Sequence, residues 1–344
     1  MKDNRYLIPF LGIITLVMVG FVLKAAQGVI LPLIIAWLLS YLFAPVVNFL
    51  VRHKVPTGVA VLAVVLILVG FFYLIGWFVQ TRVMGFIGQY DEYAGKLQTI
   101  TADVMVRFNI PESYFKDFDW AGKIGAGLVT ISGSFVSIVS NMGMILIFLV
   151  FMLLGKPYGR RKLHQAFAGD RAVKIIAVTD SITGQISRYL SIKVAISAVT
   201  AVLVYLVLLV MHVDFPLTWA AFTFLLNFIP TVGSIIATVP PVLLALIKCY
   251  GESFWPAAIV LTLLLLIQQT MGSLVEPKLM GDKLNLSPVV ILLSLVFWGW
   301  LWGITGALLS VPIAAAMKIV CENIEALKPI SVLMGTGKNL PRAA

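Results

Sequence analysis

Asn227-Phe228-Ile229-Pro230-Thr231-Val232-Gly233-Ser234-Ile235-Ile236-Ala237-Thr238-Val239-Pro240 reads as an apolar helix that breaks and restarts. Gly303-Ile304-Thr305-Gly306-Ala307-Leu308-Leu309-Ser310-Val311-Pro312 repeats the plan some seventy residues later. Both pass in order through glycine, a small residue, two branched aliphatics, a hydroxyl residue, valine and proline. Within hydrocarbon, backbone leaves the helix only where protein or a water-filled cavity satisfies its polar groups. Two such breaks at matching points of a repeated plan are the sequence pointer to a transporter's substrate site.

The flanking sequence demands a membrane. The chain of 344 residues is 60% hydrophobic and 12% charged, with a mean hydropathy of +1.03; a soluble domain carries roughly 25% charged residues. Charge-free stretches run over 6–23, 25–51, 55–81, 124–155, 194–211, 215–247, 253–275 and 284–317. Each reaches or nearly reaches the ~20 apolar residues that cross the hydrocarbon core. The runs are continuous rather than alternating, which excludes a β-barrel. The expected fold is all-α: a polytopic transmembrane bundle of about eight membrane segments. The stretches 215–247 and 284–317 exceed a single pass of ~17–25 residues, so each is expected to be a re-entrant helical hairpin. Each would follow one straight span (194–211 or 253–275), giving two units of opposite orientation, as in inverted repeats.

The net charge of +10 is not a nucleic-acid signature, because it is concentrated in alternate connections. Segment 156–193 carries eight basic and two acidic residues, while 82–123 carries five basic and six acidic. By the positive-inside rule the first is cytoplasmic, the second is extracytoplasmic, and both termini are cytoplasmic. A basic inner face also suits anionic membrane lipids. The first charge-free run has 18 residues, longer than the ~7–15 of a signal-peptide core, and is expected to be a retained span. The organisation that follows is N-terminal transmembrane helices (1–81), an extracytoplasmic amphipathic insert (82–123), a transmembrane helix (124–155), a basic cytoplasmic amphipathic connection (156–193), a transport core with two interrupted segments (194–322) and a cytoplasmic tail (323–344).

Amides and hydroxyls at a broken helix can bind a polyhydroxylated solute. Asn227, Thr231, Gly233 and Ser234 stand at the first break, and Thr305, Gly306 and Ser310 at the second. Gln268, Gln269 and Thr270 add a polar cluster, which is costly in lipid unless it faces protein or water. Trp298 could stack on a small ring, or serve in an interfacial belt. The alternative for the hydroxyls is that they only satisfy the backbone they interrupt. Glu276-Pro277-Lys278 follows the glutamine cluster. Glu276, with Lys278, is the candidate for ion coupling, although a carboxylate at a helix end also serves as an interfacial anchor. No acidic residue lies deeper in any span, which weakens strong ion coupling.

Enzymatic classes find no support. His53, His164 and His212 are isolated, and there is no H-E-x-x-H, G-x-S-x-G, Walker or dinucleotide motif. Cys249 and Cys321 form neither a disulfide framework nor a metal-ligand spacing, and no cofactor is expected.

Leu226-Asn227-Phe228-Ile229-Pro230-Thr231-Val232-Gly233-Ser234, Glu276-Pro277-Lys278-Leu279-Met280-Gly281, the run Ser294 to Gly303, Leu309-Ser310-Val311-Pro312 and Tyr189-Leu190 with Lys193 resemble the autoinducer-2 exporter (AI-2E) family. Length and segment plan match throughout, and the C-terminal half carries the specific motifs. The resemblance implies a bacterial inner-membrane transporter of a small signalling furanone, usually moving it outward, and a homo-oligomeric, pentameric assembly. Other members of the broad family are sodium or lithium/proton antiporters. The leading expectation is export of autoinducer-2 or a similar polar metabolite by alternating access, the solute binding between the two hairpin tips. The alternatives are monovalent cation/proton antiport through Glu276, and a non-transporting membrane scaffold or sensor.

Overall fold

The computed structural model describes residues 4–78, 95–96, 99, 102, 130, 133, 140–167, 169–229, 232–249, 253–280 and 286–336. The amphipathic insert expected over 82–123 falls almost wholly outside them. So do Thr231 and the end of the tail. Every regular element among the described residues is helical, and seven of the helices are long and apolar enough to cross a membrane. The protein is a polytopic all-α membrane bundle.

The helices are α1 (Asn4–Ala25), α2 (Gln27–Arg52), α3 (Thr57–Phe78), α4 (Met142–Ala166), α5 (Asp170–Val210), α6 (Pro216–Leu226), α7 (Val232–Cys249), α8 (Trp255–Gln269), α9 (Glu276–Met280), α10 (Pro288–Asn323) and α11 (Lys328–Leu333). They form two compact units. The first is Met1–Leu66, Ser140–Ser187 and Leu286–Ala344; the second is Ile67–Val139 and Arg188–Asn285.

In the first unit, α2 packs on α4. Ala36, Ser40, Ala44 and Val47 make one buried stripe on α2, and Ile145, Leu149 and Leu153 face it from α4. The spacing of three and four residues is that of a single helix face, and the small residues on α2 allow close approach. Pro32 and Pro45 sit inside α2 without ending it. The expected boundary between connection and span at 193/194 coincides with no break in α5. No proline occurs from Asp170 to Val210, and the 41 residues form one helix of about 60 Å. Backbone hydrogen bonding continues across a polar–apolar transition that composition alone reads as an edge.

Both expected interruptions are present. Helix α6 ends at Leu226, and α7 starts at Val232 and packs back on it. In α10 the helical geometry fails at Trp302 (φ −126°, ψ 18°) and Gly303 (φ 62°, ψ −143°), which divides it into limbs 288–301 and 304–323. The limbs fold back on each other: Ser294 Oγ donates to the Ser310 carbonyl at 2.8 Å. In a straight helix those residues would be about 24 Å apart. Gly303 occupies a backbone region open essentially only to glycine.

A built Cβ on Gly306 would lie 1.9 Å from the Trp298 carbonyl oxygen, and one on Gly233 would lie 1.8 Å from that of Leu226. In both hairpins a glycine Cα–H therefore points at a carbonyl of the opposite limb, a recurring weak hydrogen bond that only a residue without a side chain permits. The second hairpin is anchored by Trp302, whose indole N–H donates to the Leu23 carbonyl at 3.3 Å. Its ring stacks on Trp298 with centroids 4.7 Å apart. Leu301 and Ile313 complete this buried cluster, with Leu23, Ile30 and Ile34 packed against it. Trp302→Phe keeps most of the ring and loses the donor, so it should lower stability by about 1 kcal/mol. Trp302→Ala should cost about 3–5 kcal/mol. Thermal melting of the detergent-solubilised protein distinguishes the two.

Candidate functional site

The polar groups of the second unit converge on one face of α5. Tyr189, Lys193, Ser197 and Thr200 recur at helical spacing, and all four are buried, so they share one stripe. Lys193, 2% exposed, donates from Nζ to Glu276 Oε1 at 2.6 Å. One turn along, Ser197 Oγ accepts a hydrogen bond from Asn227 Nδ2 at 3.0 Å. Thr200 returns its hydroxyl to the Ile196 carbonyl. The Tyr189 hydroxyl is buried with no hydrogen-bond partner among the described residues.

Each partner arrives by a local device. Asn227 caps the C-terminal end of α6, where the first hairpin turns and a side-chain amide can reach a neighbour. Glu276 opens α9 directly after a π-helical turn, Thr270–Val275. Such turns insert slack into a helix and recur at functional sites. Here the wide turn follows Gln268 and Gln269, and α8, the π turn and α9 together make one apolar run from Trp255 to Met280. A buried charge on an apolar run is costly unless it is paired; Lys193 and Glu276 supply that pairing.

The expected site residues divide as follows. Asn227 and Glu276 join the α5 stripe. Gln268 is half-buried, whereas Gln269, Thr270 and Lys278 are exposed. Gly233 makes the close limb contact, and the Ser234 carbonyl accepts the Thr238 hydroxyl at 2.7 Å. The second hairpin, in the other unit, holds Trp298 within its apolar cluster, with Thr305, Gly306 and Ser310 buried. Ser310 Oγ donates to the Ala307 carbonyl at 2.6 Å. The Thr238 and Ser310 hydroxyls thus each bond a carbonyl one turn back in their own helix, the local back-bonding open to any helical hydroxyl residue. Lys193, Ser197 and Tyr189 are the functional candidates that sequence reasoning left out of the site. The four-residue spacing of Tyr189, Lys193 and Ser197 is the signal that could have flagged them.

Membrane-length helices carrying a buried ion pair and a side-chain amide at a helix break have the build of a polytopic transporter. Residues 13–326 match the family described as AI-2E family transporter, and the chain belongs to it. A provisionally named transport protein of Borreliella burgdorferi is 35% identical over 94% of this chain and 89% of its own length. The AI-2 transport protein TqsA of Escherichia coli is 30% identical over 95% of both chains.

Proposed function

We propose that this transporter exports a small polar signalling molecule, AI-2 or a close analogue, across the bacterial inner membrane by alternating access, with both termini cytoplasmic. The observation that carries the reading is the buried polar stripe of α5, a membrane-length helix, on which the Asn227 amide and the Glu276 carboxylate converge. TqsA, named for AI-2 transport, supports the choice of solute. Asn227, Thr231, Ser234 and Gln268, all of the second unit, offer the amides and hydroxyls such a solute requires. In this reading each hairpin is re-entrant, and the short first limb of the first one supports it. The 11 residues of α6 reach about 16 Å, half of the ~30 Å core. Assembly into a homo-oligomer belongs to the same reading.

A second reading, monovalent cation/proton antiport, is favoured by one feature: a membrane carboxylate, Glu276, whose partner is a displaceable lysine. Proteoliposomes separate the two. Asn227→Ala removes one hydrogen bond worth about 1 kcal/mol, so the protein should fold. Its efflux of preloaded AI-2 is expected to fall about tenfold or more. Absence of AI-2 efflux from the unaltered protein, together with a sodium-dependent pH change that disappears in the double variant Lys193→Met/Glu276→Gln, which leaves no lone buried charge, would establish the antiport reading instead. Neither flux in the unaltered protein would leave a scaffold or sensor.

A further inference from the structure

The first unit holds a cavity of about 670 Å³ walled by α2, α4 and the start of α5. Tyr41, Asn48 and Arg52 line it from α2, Lys156 from α4, and Thr179 and Asp180 from α5. Lys156 continues the packing stripe of Ile145, Leu149 and Leu153, so a cation occupies a position that three preceding turns fill with buried aliphatics. Its Nζ donates to the Ser40 carbonyl at 3.0 Å and lies 4.8 Å from the Tyr41 ring centroid. It forms no ion pair among the described residues. A carbonyl and a ring face stabilise an ammonium only partly, and a half-buried cation in a cavity favours an anion.

Arg52, exposed at the end of α2, adds a second cation and a planar fork suited to phosphate oxygens. Asp180 is the one carboxylate among the described residues of the wall, which leaves that lining net positive. The rest of the lining is largely aliphatic, with Val47, Val51, Leu153 and Ile176 among it. That combination suits an amphiphile better than a small hydrated ion. The cavity adjoins the basic segments 52–54 and 156–162, which the charge distribution places at the cytoplasmic face, where anionic headgroups lie.

We infer that this cavity is a binding site for a phosphate-bearing anion, filled by the headgroup of an anionic phospholipid held between Lys156 and Arg52. It is a lipid site separate from the polar stripe of α5 and does not depend on the transported solute.

The test uses the full chain, purified in detergent and delipidated. Phosphatidylglycerol or phosphatidylcholine is added, and retained lipid is counted by native mass spectrometry. The unaltered protein should retain phosphatidylglycerol about tenfold over phosphatidylcholine, the worth of one charge-assisted contact. Lys156→Gln should abolish that preference and Lys156→Arg preserve it. Should Lys156→Gln fail to fold, Arg52→Gln, an exposed change at the mouth, must weaken retention. A parallel arm titrates inorganic phosphate and follows melting temperature. Stabilisation by phosphate that is lost in the variants, without selective lipid retention, would keep the anion site and overturn the lipid assignment. Equal retention of both lipids with no response to phosphate, or a preference unchanged by both substitutions, would overturn the proposal.

Discussion

Gly306→Ala and Gly233→Ala are each expected to abolish accumulation of a monodisperse protein, read by size-exclusion chromatography of the solubilised chain. A single methyl would sit 1.9 Å from the Trp298 carbonyl oxygen in the first variant and 1.8 Å from that of Leu226 in the second. The obstacle in both cases is main chain, not the free end of a side chain, so relief requires the hairpin limbs to separate. Losses of about 4 kcal/mol or more arise from such backbone conflicts. Gly299→Ala is the matched control. Its methyl would meet only the Ala307 Cβ at 3.8 Å, an ordinary contact, and the variant should accumulate normally. Gly303→Ala falls between them, costing about 1–3 kcal/mol for a backbone conformation that alanine rarely adopts.

Glu276→Gln is the second large expected effect. It leaves Lys193, almost fully buried, without its carboxylate. Breaking a buried pair from one side costs about 3–5 kcal/mol, because an uncompensated charge remains. Lys193→Met alone should be milder, since the orphaned Glu276 side chain is 23% exposed and retains some water. The double variant Lys193→Met/Glu276→Gln carries no lone charge and should regain most of the stability lost in Glu276→Gln. Melting temperatures of the four proteins give the coupling energy. Transport separates structure from function: if the pair only holds helices together, the stable double variant transports normally, whereas a pair that works in the transport cycle leaves it folded and inactive.

Much of this architecture was legible in the sequence because lipid imposes it. Uninterrupted apolar runs cannot be anything but spans, and glycine with proline inside such runs marks where helices break. That logic located both helix breaks and made Asn227 and Glu276 candidates. It could not give their partners, since Lys193 lies 83 residues from Glu276. Lys193 also closes a strongly basic segment, so its composition marks it as one more cytoplasmic charge rather than as a buried partner. The π turn at Thr270–Val275 has no distinctive composition and was invisible for that reason. Trp298 illustrates the opposite difficulty. Four aromatic residues from Phe297 to Trp302 suit a binding wall, an interfacial belt and a packed cluster equally. Only the observed stacking of Trp298 on Trp302, against Leu301 and Ile313, places it in the apolar cluster.

The glycine contacts within the hairpins have a mechanical consequence. Where two limbs meet main chain to main chain, no side chain can rotate to let one slide past the other. A hairpin displaced in the proposed alternating-access cycle would therefore move as a stiff wedge, with its bending at 211–215 for the first and at 286–287 and 324–327 for the second. Probes attached to opposite limbs of one wedge would keep a constant separation throughout a working cycle, however far the wedge itself is carried.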